Sequence, residues 1–177
     1  MKADPTAGWA TSWLQQCLLR RAPQDDPYSP LVLAAALLAY ALVDVMQART
    51  ASGWSVSLGM SVTDTLIVIV FTWLVLLVAK QPARLVQTLT ALAGTGALLG
   101  LLGMPLMLHA SRVQQSGDPG AALVMGWLVL LIWNVTVQAH IFRHALSSRY
   151  GIGLLVAGLH TVVAIVLLDY FFPPAVG

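Results

Sequence analysis

The 24 residues from Leu85 to Leu108 contain no charged side chain. An α-helix rises about 1.5 Å per residue, so this stretch is long enough for one tilted crossing of a hydrocarbon core roughly 30 Å thick. Gly96, Gly100 and Gly103 lie on one face of that helix. Membrane helices associate largely through close packing at small residues, so this face is predicted to contact another helix. The alternative is that glycine is simply common in membrane helices.

The composition extends this constraint to the whole chain. Of the 177 residues, 58% are hydrophobic and 9% are charged, against about 25% charged in a typical soluble domain. A soluble core of this size could not bury so many apolar side chains, so the bilayer is the predicted solvent and first partner. The basic residues are spread along the chain and form no patch, which argues against nucleic acid. A single cysteine, Cys17, excludes an internal disulfide.

Five apolar segments predict an all-α, polytopic membrane protein with five transmembrane helices. We expect a cytoplasmic or interfacial segment over residues 1–30 and a transmembrane domain over 31–177. The predicted spans are residues 31–47, 62–79, 85–108, 121–139 and 151–172. The first is short and contains Asp44, so a re-entrant segment is its alternative.

The basic residues predict the orientation. With five spans and a cytoplasmic N-terminus, the outer loops hold only Arg49 and Arg112. The inner segments hold all the others, namely Lys2, Arg20, Arg21, Lys80, Arg84, Arg143 and Arg149. This positive-inside bias predicts N-in and C-out.

The N-terminal segment carries an amphipathic pattern. Its apolar side chains recur at helical spacing on one side: Trp9, Trp13, Leu14, Cys17 and Leu18. This pattern predicts a short interfacial helix with Trp9 and Trp13 at headgroup depth and with Arg20 and Arg21 near anionic lipid. A helix that docks a partner protein would show the same pattern.

Polar residues in membrane spans are costly to bury and therefore mark candidate sites. Asp44, Asp64, His109 and Asp169 all fall toward the outer ends of their spans, and we consider them a candidate polar or ion site. The competing interpretation is helix-end hydrogen bonding near water, with Asp64 capping a helix that begins around residues 62–65. A metal or other cofactor is not predicted, because the spacing of a ligand set is missing.

His160 lies near the middle of the fifth span and joins the candidate polar residues. A neutral histidine bonded to a neighbouring helix is the simpler interpretation, with Asn134, Thr136 and Gln138 as possible partners. A haem or quinone site is the alternative. The same span contains Gly153 and Gly158, and we predict that this small-residue face packs against Gly96, Gly100 and Gly103.

The segment before the first span contains Asp26, Tyr28 and Pro30 in a D-x-Y-x-P motif. With five spans and short loops, this motif resembles the Yip1 family, whose eukaryotic members act in membrane trafficking with small GTPases. The chain departs from the family in its shorter N-terminal region and in Ser29, where the family often has glycine. The start LLRRAPQDDPYSP also resembles small membrane proteins of proteobacteria, which implies the inner membrane.

Catalytic motifs are missing, and the loops are too short for a soluble domain, so no enzyme is predicted. The sequence favours a non-enzymatic accessory, scaffold or assembly subunit, partnered by other integral membrane proteins or by itself. The alternative is a small cation or proton transporter or channel that uses the outer Asp/His residues.

Overall fold

The computed structural model describes residues 8–113 and 120–173, with the side chains of residues 111–113 left out. In this part of the chain the regular elements are all helical, as predicted. The α-helices are α1 (Trp9–Cys17), α2 (Pro30–Ala48), α3 (Trp54–Val78), α4 (Leu85–Val113), α5 (Gly120–Ala145) and α6 (Tyr150–Phe171). Short 3₁₀ turns at Pro23–Asp25 and Pro82–Arg84 precede α2 and α4.

Five of these helices, α2 to α6, are long and apolar enough to cross a membrane. This confirms the number of predicted membrane-crossing segments. The largest difference from the predicted bounds is at α3, which begins at Trp54 rather than near Val62. Serines extend this helix because their hydroxyls have carbonyl partners: Ser57 donates to Gly53 at 2.9 Å and Ser61 donates to Ala41 of α2 at 2.8 Å.

The residues at the start of α2 explain why the helix begins at Pro30. Pro30 occupies its first turn, where a missing N–H does no harm. The Ser29 hydroxyl accepts a hydrogen bond from the N–H of Val32 at 3.4 Å and caps the helix. Helix α2 therefore starts directly after the Asp26–Pro30 motif.

Helix α4 is the central element of the bundle. It packs against α1, α2, α3 and α5. In its most apolar stretch 44% of the residues are buried, against 11–28% in the other four long helices. The uncharged stretch from Leu85 to Leu108 therefore lies in the central helix of the bundle, against which α1, α2, α3 and α5 pack.

The glycine face of α4 does pack against another helix, but the predicted partner was wrong. Gly96 lies under the Tyr40 ring of α2, and Gly100 lies against Val43 and Gln47 of the same helix. The Gln47 side chain also donates to the Gly100 carbonyl at 2.7 Å. Only a residue without a side chain lets a tyrosine ring lie this close to a helix backbone, which explains why α2 packs here rather than α6.

Helix α6 packs on α5 instead. Gly153 lies directly against the backbone of α5, next to the Ala139 carbonyl and the Arg143 amide. Gly158 has open space where a side chain would be. Gly153 therefore acts as a packing glycine toward α5, whereas Gly158 does not pack against the bundle.

The N-terminal segment is held against α4 and α5. The Trp13 indole covers Gly94 of α4, and the Trp133 indole N–H donates to the Cys17 carbonyl at 3.0 Å. Trp9 is partly buried and Arg20 is exposed. Trp13 thus has a protein partner, a contact that the sequence did not predict. Membrane-surface roles for Trp9, Trp13, Arg20 and Arg21 stay predictions.

A buried carboxylate locks this segment in place. Asp26 is 4% exposed. It accepts hydrogen bonds from Ser12 at 2.6 Å and Gln16 at 2.7 Å, and it pairs with the Arg21 guanidinium at 2.9 Å. Its own carbonyl accepts from Gln87 of α4 at 2.6 Å. Arg21 therefore serves a buried ion pair, which leaves it poorly placed to bind lipid phosphate as well.

Candidate functional site

Two acidic side chains of the candidate ion site meet between α2 and α3. The carboxyl group of Asp44 lies close enough to that of Asp64 for the two to interact electrostatically. The Tyr40 hydroxyl donates a hydrogen bond to Asp64. Tyr40 and Asp44 are four residues apart and so share one face of α2, which places both opposite Asp64.

Asp64 does not cap a helix. Because α3 begins at Trp54, Asp64 lies inside the helix, where the backbone N–H groups already have partners. Its carboxyl points to α2 and meets Tyr40. The helix-cap interpretation of Asp64 was therefore wrong, and the interpretation as a polar site inside the bundle remains.

The chemistry of this pair follows from its geometry. An ionised carboxylate can only accept hydrogen bonds, so the two carboxyl groups can hydrogen-bond to one another only with a proton on the pair. One Asp44 oxygen, Oδ2, is buried and has no hydrogen-bond partner among the described residues. A second negative charge there would be unfavourable, and a proton or a bound cation would relieve it.

A cavity of about 220 Å³ opens beside the pair, between α2 and α5, with the glycine face of α4 as its floor. Its lining residues are Tyr40, Asp44, Gln47, Gly96, Leu99, Gly100, Gly103, Trp127, Leu130, Leu131 and Asn134. The three α4 glycines thus have two roles: they admit α2 and they leave space beside Asp44. Oxygen atoms of Asp44, Gln47 and Asn134 offer this space the ligands that small hard cations prefer.

A second polar group lies deeper in the bundle. His160 of α6 is 5% exposed, and its Nδ1 lies 2.9 Å from the Gln138 side-chain oxygen of α5. The Gln138 side-chain nitrogen donates to Asn134 at 2.5 Å. This confirms the predicted bond between His160 and the fourth span. Asn134 connects the group to the cavity beside Asp44.

The remaining members of the predicted site are not joined to it. His109 and Asp169 are exposed, and within residues 8–113 and 120–173 neither has a hydrogen bond or ion pair to Asp44 or Asp64. Arg49 turns to its own loop: its guanidinium donates to Ser52 at 2.6 Å and covers the Trp54 ring. The side chain of Arg112 lies outside the described part. Of the predicted site residues that the structure describes, Asp44 lines the cavity and Asp64 contacts Tyr40 at its edge. His160 is linked to the cavity through Gln138 and Asn134.

No metal centre is formed by the described residues, which contain no group of three or more candidate His, Cys, Asp or Glu ligands. The sequence interpretation missed Tyr40, Gln47 and Trp127. The first two could have been found, because they lie four residues before and three residues after Asp44 on the same helix face. Trp127 carried no such signal.

The fold and the site together define an α-helical protein with five helices that can cross a membrane and with a polar interior between them. Comparisons with protein-family models, with curated proteins and with solved structures found no match. The resemblance to the Yip1 family therefore stays a prediction.

Proposed function

We propose that this protein is a small integral membrane transporter or channel that takes up a proton or a monovalent cation at the Asp44–Asp64 pair. The observation that carries the proposal is the meeting of two carboxyl groups from different spans beside a cavity. Ionisable side chains at membrane depth are costly, and those that line a water-accessible space commonly mark an ion or proton pathway. No catalytic role is proposed.

The proposed orientation places this pair in the outer half of the membrane. The excess of basic residues in the inner segments supports a cytoplasmic N-terminus and an outer C-terminus. Residence in the inner membrane is proposed from the resemblance of the N-terminal segment to small membrane proteins of proteobacteria. Asp44 is near the C-terminal end of α2, which runs from inside to outside in this arrangement. An ion or proton would then enter the cavity from the outer side.

Proton or cation flux into vesicles tests the proposal. The purified protein is reconstituted into liposomes that contain a pH-sensitive dye, and an imposed ion gradient drives the flux. Replacing Asp44 or Asp64 with Asn removes the group that exchanges the proton, so we expect flux to fall about ten-fold or more.

Asp169→Asn is the matched control, since Asp169 is exposed and has no contact with the pair in the described part of the chain. Its flux should equal that of the unaltered protein. Absence of flux with the unaltered protein would exclude the transport function, and full flux through the Asp44→Asn, Asp64→Asn double variant would exclude the pair as the site of uptake.

A second candidate is the accessory subunit that the sequence favours. Helices α2 and α5 flank the cavity, and only 11% of their most apolar stretches are buried within the chain. Two under-packed helices beside an open space would accommodate a helix of another integral membrane protein or of a second copy. This candidate requires no ion at Asp44.

A further inference from the structure

A smaller cavity of about 30 Å³ lies behind the first, and His160 lines it. Its other lining residues are Tyr40, Val68, Leu92, Thr95, Gly96, Leu99, Asn134, Val137 and Gln138. We propose that this cavity is a water-binding site through which His160 exchanges a proton with Tyr40 and Asp64. The inference rests on the proposed function and extends it by naming the proton as the species and His160 as the second station.

The hydrogen bonds of the group assign the tautomer of His160. The Gln138 nitrogen is engaged with Asn134, so the oxygen of Gln138 faces the imidazole. A carbonyl oxygen can only accept, so Nδ1 of His160 must carry the hydrogen. In a neutral ring Nε2 is then an acceptor with a free lone pair.

Nε2 has no partner among the described residues, although its surroundings exclude bulk water. The ring centroids of Phe71 and Phe142 lie 5.0 Å and 6.4 Å from that of the imidazole, and His160 is 5% exposed. A buried acceptor without a partner is unfavourable, so a donor is needed at Nε2.

The smaller cavity can supply that donor. One buried water needs roughly 10–15 Å³, so 30 Å³ is room for about one or two. Tyr40, Asn134 and Gln138 give a water its further polar partners. The water therefore joins Nε2 to Tyr40, whose hydroxyl already contacts Asp64.

The relay moves one proton in total from Asp64 to His160. When Asp64 carries the proton, it becomes the donor to the Tyr40 oxygen, and the Tyr40 hydroxyl hydrogen turns from Asp64 to the water. Asp64 then passes its proton to the Tyr40 oxygen, the hydroxyl passes its own hydrogen to the water, and the water passes one to Nε2. The products are an Asp64 carboxylate and a His160 imidazolium, and the reverse steps restore the start. The ionisable groups on the side of α2 and α3 are Asp64, which contacts Tyr40, and Asp44, which lies on the same face of α2 as Tyr40. Helices α4 and α5 contribute only uncharged groups to this cavity, namely Thr95, Asn134 and Gln138.

Nitrogen NMR on histidine-labelled protein in liposomes tests the water site without any transport assay. The His160 signals are those lost in His160→Gln. We expect hydrogen on Nδ1, a free Nε2 and magnetisation transfer between the ring and water. Val137→Ile adds a methyl group to the cavity lining and should abolish that transfer, whereas Val129→Ile, on the exposed side of α5, should preserve it. Hydrogen on Nε2, or a ring without water contact in the unaltered protein, would overturn the proposal.

Flux measurements then separate this proposal from the proposed function. His160→Gln and Val137→Ile should each lower proton flux about ten-fold or more, while Asp44 and Asp64 remain in place. If Asp64→Asn abolishes flux and both of these variants retain it, transport stands and the relay through His160 is excluded. If Asp64→Asn has no effect, the proposed function itself fails, whatever NMR shows for the water site.

Discussion

At the scale of single residues, Asp26 makes the side-chain contacts that hold the N-terminal segment together. It accepts hydrogen bonds from Ser12 and Gln16 and forms an ion pair with Arg21. These polar side chains otherwise have few partners next to an apolar bundle. Removing one member of a buried ion pair leaves the other charge uncompensated, at a cost of about 3–5 kcal/mol. The Asp26 carboxylate therefore contributes to the attachment of α1, together with the Trp13–Gly94 and Trp133–Cys17 contacts.

The alkylation rate of the Cys17 thiol reports whether α1 is attached to the bundle. Burial raises the pKa of the Cys17 thiol to about 11, and only the thiolate reacts with alkylating reagents. In the folded protein the thiol is therefore protonated at pH 8 and alkylates slowly, with a rate that rises as the pH approaches 11. Asp26→Ala releases α1, exposes Cys17 and returns its pKa toward the ordinary value. We expect alkylation at pH 8 to become about ten-fold faster or more, measured by mass spectrometry.

Asp25→Ala is the control, because Asp25 is exposed and, among residues 8–113 and 120–173, its carboxylate accepts a hydrogen bond only from the Ala22 amide, at 3.2 Å. Equal alkylation rates for Asp26→Ala and the unaltered protein would contradict the role of Asp26 in holding α1 against the bundle.

The motif that carries the family resemblance has a local explanation in this chain. Asp26 is the hydrogen-bond centre, Ser29 caps α2 and Pro30 starts it. Tyr28 is 64% exposed and is therefore free to contact lipid or a partner. Its neighbours Asp26 and Pro30 have structural roles that do not require any partner.

At the scale of helices, the α2–α4 contact is the most specific one. A side chain at position 100 would begin 2.6 Å from a Val43 methyl group, which is closer than atoms can approach. Gly100→Leu should therefore separate α2 from α4 and displace Asp44 from Asp64. We expect the free energy of unfolding to fall by about 1–3 kcal/mol or more, which would be measured as a lower midpoint of thermal unfolding in detergent.

Gly158→Leu serves as the matched control, since a side chain there meets open space. It should unfold at the temperature of the unaltered protein. A Gly100→Leu variant that is as stable as Gly158→Leu would show that the two helices do not pack at this glycine.

At the scale of the whole molecule, the two candidate functions predict different companions. An accessory subunit should co-purify with other integral membrane proteins, or with copies of itself, in mild detergent. Crosslinks from the exposed faces of α2 and α5 should then reach that partner, as they are the least covered helices. Mass measurement of the detergent complex checks this expectation, and a monodisperse monomer without companions would contradict the accessory function.

The sequence by itself determined the number of helices that can cross a membrane and the glycine face of α4. Both follow from local properties, namely the length of an uncharged run and the spacing of its glycines, which no distant residue alters. His160 could be assigned a partner on the fourth span for a similar reason, because a buried polar group needs one and few were present.

Only the tertiary structure decided which surfaces meet. It placed α2 rather than α6 on the glycine face, Trp13 on Gly94, and Asp64 inside a helix opposite Asp44. Each of these contacts joins segments distant in sequence and depends on the fit of one side chain into the space left by another. Such complementarity is a property of pairs of helices, whereas composition and periodicity describe one helix at a time. That is why the Leu85–Leu108 helix and the candidate residues Asp44, Asp64 and His160 were recognisable from the sequence alone, whereas the contacts between them were not.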